Sequence, residues 1–413
     1  MDPDPPLHET YKALFANTKI SSTDDDDRRL VTVEERELPL IDLSRLSLNE
    51  AEQKQCKEEI ARAGHEWGFF QVINHGISME LLEKLREEQV RVFKQPFRNK
   101  FLNFSDGSYR WGTPTATSLR QLSWSEAFHI PMTDISSSSM EPFATKVASL
   151  AQKLAEILAD KLGHNSTFFQ QSCLPSSCYL RLNRYPPCLI PSDIYGLMPH
   201  TDSDFLTILN QDQVGGLQLV KDGKWIAVKP NPEALIINIG DFFQAWSNGF
   251  YNSVEHCVVT HPTKERFSAA YFLCPSYETV IESCSQPSVY SKFSFREYKQ
   301  KVQEDVQRYG YKNTHQKVCF QTSSRPKLKA SCTETCGTEQ EWLLWNEGGN
   351  FPIDELLRWV HIALLCVQDD PALRPAVSSA ILLLRTNSAA RFLHMIYLQP
   401  SGLPSSFSGN TCI

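Results

Sequence analysis

A histidine and an aspartate stand one residue apart in an otherwise apolar stretch, LMPHTDSDFLTIL, at residues 197–209. Residues i and i+2 of a β-strand point to the same face, so His200 and Asp202 should converge on one spot. An isolated pair of this kind is more often a hydrogen-bonded polar pair at the end of a strand. The alternative is that both side chains are ligands of a metal ion, and the rest of the chain has to decide between the two.

A further histidine, His256, lies in the strand-like sequence SVEHCVV, 54 residues after Asp202. Two imidazoles and one carboxylate form the facial triad, which holds Fe(II) on one side and leaves positions open for a co-substrate and oxygen. Cys257 follows His256 directly and should face the other way on a strand. The sequence thus indicates an iron site, with a hydrogen-bonded buried histidine as the ordinary alternative for His256.

Two more pairs with the same spacing could bind a carboxylate. Arg266 and Ser268 occur in the run RFS, and a guanidinium is a planar fork of donors that suits a carboxylate. Asn183 and Tyr185 are likewise two apart, in RLNRYPPC. Taken singly, Arg266 would be a surface cation and Tyr185 a core aromatic. Taken with the metal ligands, they predict a dicarboxylate co-substrate that chelates iron at one end.

The elements that would position these residues change in character along the chain. Residues 1–35 are polar and acidic, which predicts a flexible arm, and residues 36–165 are mostly helical with interspersed strands. Residues 166–312 contain about seven short β-prone runs separated by Gly, Pro, Asn and Asp, and end in a helix over 295–309. This pattern predicts an α+β fold whose catalytic core is an antiparallel sandwich such as a jelly roll, with flanking helices.

The bulk composition excludes several classes of protein. The 413 residues are 41% hydrophobic and 22% charged, as in a globular protein, and the net charge of -7 argues against a nucleic-acid binder. The N-terminal sequence lacks the features of a secretory signal, and no run reaches the roughly 18 apolar residues of a membrane span. We therefore expect a cytoplasmic enzyme, with the nucleus as a second compartment, no membrane partner, and reduced cysteines.

Residues 36–312 resemble the plant Fe(II)- and 2-oxoglutarate-dependent dioxygenases. The resemblance covers the helical region with WGFFQVINHG and the core with the H-x-D…H, N-x-Y and R-x-S motifs. Within that family, the stretches 109–131 (YRWGTPTATSLRQLSWSEAFHIP), 176–188 and 197–209 are similar to gibberellin 2-beta-dioxygenases of the class that acts on C20 gibberellins. The resemblance implies a double-stranded β-helix core.

The same resemblance implies a reaction. Fe(II) would be bound by His200, Asp202 and His256, with 2-oxoglutarate and O2 as co-substrates and ascorbate as reductant. The enzyme would hydroxylate a small-molecule gibberellin at its 2β position, with release of succinate and CO2, and so inactivate the hormone. Two alternatives stay open: a dioxygenase of the same family acting on another plant metabolite such as a flavonoid, or a catalytically inactive chimeric product.

Residues for the two organic ligands are implied as well. Arg266 and Ser268 would hold the distal carboxylate of 2-oxoglutarate, and Asn183 and Tyr185 would help to position it. A rigid diterpenoid acid needs an apolar pocket with a few polar anchors. Candidate walls are Tyr109, Trp111, Trp124 and Phe128. Candidate partners of the gibberellin carboxylate are Arg110, Arg120, Arg181 and Arg184, and strand alternation puts Arg184 on the face opposite Asn183 and Tyr185.

The sequence departs from the family pattern in two places. Cys257 stands where the family has arginine, at a position we expect to be outward, so packing or stability should change rather than iron binding. Residues 313–413 are a foreign tail, of which 341–384 resembles the C-terminal end of a receptor-like kinase domain, and its end is Pro/Ser/Gly-rich. The kinase glycine-rich loop, H-R-D and D-F-G motifs are all missing from this tail, which excludes kinase activity.

The tail gives a first testable prediction. A chain truncated after His315 should be at least as soluble and as active as the full chain, because the dioxygenase-like region ends near residue 312 and the tail adds an apolar helical face, LLRWVHIALLCV, that needs cover. Size-exclusion chromatography and turnover of 2-oxoglutarate measure the two properties. A truncated chain that fails to fold would show that the tail has become structural.

Overall fold

The computed structural model describes most of the chain up to residue 309. The described residues are 2–16, 33–104, 107–135, 139–164, 167–189 and 194–309. They all fall within one compact unit, Met1–Lys327. The predicted tail over 313–413, with its kinase-like stretch at 341–384, lies outside the described residues, as does the acidic run Asp24–Asp27 of the N-terminal arm.

Nine α-helices are found in the described residues, and seven of them lie before residue 173, with short strands between them. They are α1 (Leu7–Thr10), α2 (Lys12–Ala16), α3 (Glu50–Trp67), α4 (Met79–Phe93), α5 (Phe97–Asn103), α6 (Glu141–Lys161), α7 (Thr167–Ser172), α8 (Asp241–Trp246) and α9 (Phe295–Tyr309). The side chain of Asn49 caps α3 by accepting from Glu52 N, and the helix stops at Gly68 in the left-handed region. Among the described helices, none is long and apolar enough to cross a membrane.

Fifteen strands in the described residues form two large sheets and a small one. They are β1 (Glu34–Arg36), β2 (Leu40–Asp42), β3 (Phe69–Ile73), β4 (Tyr109–Trp111), β5 (Glu126–Pro131), β6 (Tyr179–Tyr185), β7 (Tyr195–His200), β8 (Leu206–Gln211), β9 (Leu217–Lys221), β10 (Lys224–Val228), β11 (Leu235–Ile239), β12 (His256–Val259), β13 (Arg266–Leu273), β14 (Val280–Ile281) and β15 (Phe293–Ser294). The orders are β1-β10-β9-β12-β7, β2-β3-β11-β8-β13-β6-β5-β4 and β14-β15. All pairings are antiparallel except β1 with β10 and β2 with β3.

Two apolar clusters fix the sheets in place. The larger one packs α3, α4 and α6 against the eight-stranded sheet, where α6 buries Phe143, Val147 and Leu154 at helical spacing. The smaller one joins the two large sheets, because it combines Phe69 and Ile236 of one with Leu219 of the other. The predicted α+β class, a jelly-roll core with flanking helices, is therefore confirmed.

The beginning of the N-terminal arm is ordered, which corrects the expectation of a flexible arm for residues 2–16. Leu7 and Tyr11 are only 3% and 6% exposed and pack beside Trp124. The Tyr11 hydroxyl accepts a hydrogen bond from Thr113 N at 2.7 Å, and Lys100 donates to the carbonyl of Pro3 at 2.8 Å. A few well-placed apolar side chains are thus enough to dock a segment whose average composition is polar.

A buried ion network ties this segment to the outer face of the eight-stranded sheet. Glu126 is fully buried, and its carboxylate accepts from Lys100 at 2.5 Å, Arg184 at 2.7 Å and the Tyr109 hydroxyl at 2.5 Å. Arg184 also pairs with Asp4 at 2.7 Å. Burial, together with the charge of Glu126, raises the pKa of Tyr109, so this phenol stays protonated and donates. Glu126 therefore pairs with both buried cations, and Asp4 adds a second carboxylate to Arg184.

This network yields a stability prediction. Glu126→Leu should lower the free energy of unfolding by about 3–5 kcal/mol, because it leaves Lys100 buried without its counter-charge and takes the buried one of three carboxylates from Arg184. Glu80→Gln, which breaks the exposed pair with Lys84, is the matched control and should change it by about 1 kcal/mol at most. Urea unfolding followed by circular dichroism measures both. Equal effects of the two substitutions would contradict the assignment.

Candidate metal centre and carboxylate site

His200, Asp202 and His256 come together as one group. β7 and β12 are antiparallel neighbours, and their register sets His256 directly opposite His200. Asp202 follows two residues after the end of β7, and its Oδ1 lies 3.5 Å from His200 Nε2 and 3.7 Å from His256 Nε2. One potential ligand atom from each residue lies within 4.8 Å of the others. The structure thus brings all three predicted metal ligands to one point.

Hydrogen bonds at the far side of both imidazoles fix which nitrogen faces this point. His200 Nδ1 lies 2.7 Å from the carbonyl oxygen of Met198, and His256 Nδ1 lies 3.1 Å from that of Val254. A carbonyl accepts only, so Nδ1 carries the proton and each Nε2 presents a lone pair. Two lone pairs and a carboxylate oxygen directed at one point repel each other unless a cation lies between them. The donor set therefore fits a divalent transition metal such as Fe(II).

Asp202 is held in place by the oxygen that faces away from the histidines. Its Oδ2 accepts from Thr207 Oγ1 at 2.6 Å and from Asn238 Nδ2 at 2.5 Å, which leaves Oδ1 directed toward the imidazoles. Burial raises the pKa of Asp202. The two imidazoles, when they are protonated, and the hydrogen bond from Thr207 outweigh burial and hold the pKa below its usual range; with neutral imidazoles, a metal cation would supply the positive charge instead. Asp202 is consequently an anionic ligand at neutral pH.

The predicted carboxylate-binding residues form a second group on the eight-stranded sheet. The register of β13 with β6 sets Arg266 opposite Tyr185 and Ser268 opposite Asn183. The Arg266 guanidinium lies 4.8 Å from the centre of the Tyr185 ring and donates to Ser268 Oγ at 3.3 Å. It also donates to Gln211 Oε1 at 2.8 Å. These four predicted residues are therefore brought together, with Gln211 as an additional neighbour.

Comparison of two buried arginines shows what this group can bind. Arg184 and Arg266 are each 2% exposed. Arg184 pairs with the carboxylates of Glu126, Asp4 and Glu265, all within 2.9 Å. Arg266 forms no ion pair within the part of the chain that the structure describes, and its Nε is buried without a hydrogen-bond partner there. Because a buried cation without a counter-charge is strongly unfavourable, this position fits an anionic ligand.

Both groups open into one cavity of about 270 Å³. The predicted residues that line it are His200, Asp202, His256, Arg266, Ser268, Asn183 and Tyr185. Its apolar lining is Phe69, Leu197, Leu209, Leu217, Ile236, Ala270 and Phe272. The cavity can thus hold an acid that reaches from the metal ligands to Arg266, with apolar surface for a second molecule.

Most of the candidate substrate-binding residues do not line this cavity. None of the four aromatic candidates lines this cavity: Tyr109 and Phe128 lie in the main core, Trp111 packs against it, and Trp124 packs against the N-terminal segment. Among the arginine candidates, Arg181 lines the cavity, whereas Arg110 and Arg120 are exposed and Arg184 belongs to the ion network.

Residues that the sequence interpretation missed support the predicted ones. Thr207 and Asn238 hold Asp202, and Gln211 contacts Arg266. Two signals could have found them. Thr207 and Gln211 lie four residues apart and so share a strand face, and Asn238 is the one polar residue of LIINI on β11.

Cys257 faces away from the metal ligands, as predicted, but it is buried rather than outward. It is 1% exposed and lines a separate cavity of about 1110 Å³ on the far side of the five-stranded sheet, together with Cys188. Burial raises the pKa of Cys257 to about 12, so the thiol is protonated at neutral pH. The expectation that this exchange affects packing rather than iron binding stays a prediction.

Two family models match the chain. The model of the 2OG-Fe(II) oxygenase superfamily matches residues 176–275, which contain both groups of site residues. The model of the non-haem dioxygenase in morphine synthesis N-terminal region matches residues 38–147. Among solved structures, the crystal structure of JOX2 in complex with 2OG, Fe and JA has a TM-score of 0.61 at 28% identity and covers 78% of this chain and 99% of its own.

Sequence relatives narrow the assignment. The chain is 62% identical over 327 residues to gibberellin 2-beta-dioxygenase 8 of Arabidopsis thaliana, which covers 75% of this chain and 96% of the relative. It is 47% identical over 336 residues to gibberellin 2-beta-dioxygenase 6 of Oryza sativa subsp. japonica, which covers 75% of this chain and 94% of the relative. With its site geometry and these relatives, the chain belongs to the Fe(II)- and 2-oxoglutarate-dependent dioxygenases, in the family of the plant gibberellin 2-beta-dioxygenases.

Proposed function

We propose that this protein hydroxylates gibberellins at the 2β position, consumes 2-oxoglutarate and O2, and releases succinate and CO2. The hydroxylation inactivates the hormone, and C20 gibberellins are the proposed substrates. The observation that carries the proposal is one cavity that joins a complete set of metal ligands to a buried guanidinium that has no counter-charge among the described residues. The names of the relatives, at 42–62% identity, support the choice of substrate.

The proposed roles of the metal ligands follow from their hydrogen bonds. His200 and His256 would bind Fe(II) through Nε2 and Asp202 through Oδ1. The carbonyls of Met198 and Val254 keep each imidazole neutral and in one orientation, and Thr207 and Asn238 keep the carboxylate from turning away. The iron, once bound, supplies the oxidising chemistry with 2-oxoglutarate, and ascorbate is typical of the family as reductant.

The proposed role of the second group is to hold and orient the co-substrate. Arg266 and Ser268 would bind the distal carboxylate of 2-oxoglutarate, and Asn183 and Tyr185 would position it. The Tyr185 ring covers one side of the guanidinium, which leaves its edge for a two-point contact. Asn183 Nδ2 lies 3.4 Å from Ser268 Oγ, so the two polar side chains share one wall.

The gibberellin would lie against the apolar part of the same cavity. Arg181 is the candidate for its carboxylate, since it lines the cavity and its Nε donates to Asn183 Oδ1 at 2.9 Å. The proposed domain organisation places this catalytic core at 166–312 after a helical region at 36–165. A cytoplasmic location, with the nucleus as a second compartment, completes the proposal.

Two alternatives differ from this function in a measurable way. A dioxygenase of the same family that acts on a flavonoid would keep the iron and 2-oxoglutarate sites and differ in substrate. A catalytically inactive chimeric product would have no physical need for three convergent metal ligands and for a buried Arg266 that no carboxylate of the described residues balances. The complete site therefore favours an active enzyme.

Substrate turnover tests the proposal directly. The full chain, supplied with Fe(II), ascorbate and 2-oxoglutarate, should convert C20 gibberellins faster than C19 gibberellins, with one succinate released per product. Succinate assay and mass spectrometry, which should show the gain of one oxygen atom, measure this result. Turnover of a flavonoid but of no gibberellin would replace the proposed substrate, and no turnover of any kind would favour the inactive product.

Metal affinity tests the ligand assignment without turnover. Asp202→Ala should weaken Fe(II) binding by at least about 100-fold, and Asn238→Leu by about 10–100-fold, because the first removes a ligand and the second the donor that orients it. Anaerobic competition titration measures both. Asp222→Ala, at an exposed carboxylate that pairs with Lys221, is the matched control and should bind as the wild type does. Unchanged affinity in Asp202→Ala would remove this residue from the site.

A further inference from the structure

We infer that Gln211 is a positioning residue for the co-substrate: it holds the Arg266 guanidinium in the orientation that grips the distal carboxylate of 2-oxoglutarate. The inference rests on the proposed function, because it assumes that Arg266 binds this carboxylate. Gln211 stands at the end of β8 and pairs in register with Ser268 of β13. It therefore lies beside Arg266 and Ser268, the two residues that form the proposed carboxylate clamp.

The hydrogen bond between the two side chains has a forced direction. A guanidinium has five donors and no acceptor, so Gln211 must present Oε1 to Arg266 Nη2, at 2.8 Å. Its own Nε2 then points elsewhere, and this atom is buried without a hydrogen-bond partner among the described residues. The amide therefore leaves both of its own N–H donors unpaired among the described residues while its oxygen contacts Arg266, which indicates that this contact decides its orientation.

Gln211 carries no charge, and for ligand binding this matters as much as the oxygen with which it accepts from Arg266. Arg266 contacts the Gln211 amide, the Ser268 hydroxyl and the face of the Tyr185 ring, none of which is charged. By contrast, Arg184 is surrounded by carboxylates. A neutral acceptor restrains the guanidinium without cancelling its charge, so the charge stays available for an anionic ligand.

Contacts of the neighbouring residues hold the backbone around Gln211 in place, and this fixes the position of its side chain relative to Arg266. Asp212 Oδ2 accepts from Phe267 N at 2.6 Å, which ties the end of β8 to the start of β13. From the other side, α4 places the Arg86 guanidinium 3.6 Å from the centre of the Phe267 ring, and Gln89 Nε2 donates to the Ser268 carbonyl at 2.8 Å. Phe267 lies between Arg266 and Ser268, so these contacts fix the clamp and Gln211 relative to each other.

The test compares two ligands that differ in the distal carboxylate. Isothermal titration calorimetry on the full chain, loaded with Fe(II) under anaerobic conditions, gives Kd values for 2-oxoglutarate and for oxalate, which can chelate the metal but has no distal arm. Gln211→Met should raise the Kd of 2-oxoglutarate about tenfold, or about 1.4 kcal/mol, and leave that of oxalate unchanged. Gln211→Glu should raise it further, because the new carboxylate neutralises Arg266.

Two further variants separate the possible failures. Gln213→Met alters an exposed glutamine two residues away and should bind both ligands as the wild type does. Arg266→Met serves as the reference for losing the clamp. If Arg266→Met weakens 2-oxoglutarate binding and Gln211→Met does not, the inference is wrong and the proposed function stands. If Arg266→Met has no effect, the proposed clamp fails and the inference with it.

A purely structural role has a different signature. Gln211→Met would then weaken both ligands equally and lower the melting temperature, which would overturn the inference. If Gln211→Met does not fold, Gln211→Glu decides, because it keeps the size of the side chain and its acceptor. Binding of 2-oxoglutarate to Gln211→Glu at wild-type affinity would overturn the inference as well.

Discussion

The structure depends on two unbalanced charges at opposite sides of one cavity. The metal ligands direct two lone pairs and a carboxylate at one point, which requires a cation. Arg266 is buried without a carboxylate among the described residues, which requires an anion. A metal ion and a dicarboxylic acid satisfy both requirements together. The jelly roll makes this possible because β12 and β13, which carry His256 and Arg266, belong to facing sheets joined by one apolar cluster.

The pairwise spacing of the site residues could be predicted from the sequence, because side chains two apart on a strand share a face. Arg266 with Ser268 and Asn183 with Tyr185 lie on strands and on the cavity side, as this rule predicts. Asp202 also lines the cavity, but it lies beyond the end of β7, where strand alternation no longer applies. The neighbours across strands could not be predicted in this way. β13 lies between β6 and β8, and this order, which brings Gln211 next to the clamp, is set by long-range pairing that no local pattern encodes.

The predictions that failed depended on composition or on residue type alone. The arm over 2–16 is polar on average, yet Leu7 and Tyr11 dock it, because burial depends on a few positions rather than on a mean. The rings of Trp124 and Phe128 make them candidate pocket walls, but both lie in apolar clusters, where large apolar side chains are used most often. Cys257 shows the same limit: alternation gave its direction, but only the packing around β12 shows that it is buried.

Arg184 and Arg266 lie on opposite faces of the eight-stranded sheet. One arginine stabilises the fold on the outer face, and the other is placed to bind a ligand on the cavity face. Arg184 stands between Asn183 and Tyr185 on β6, and so it faces the outer side of the sheet, where Glu126 and Asp4 balance it. Arg266 faces the cavity, where the side chains it contacts in the described part of the chain, Ser268, Gln211 and Tyr185, are neutral. A register slip of one residue would exchange the two faces of a strand. It would carry Arg184 into the cavity and remove Asn183 and Tyr185 from it. The buried ion network therefore opposes such a slip, since Glu126 and Asp4 would each lose Arg184 as a partner. In this way the outer face of the sheet preserves the register on which the binding face depends.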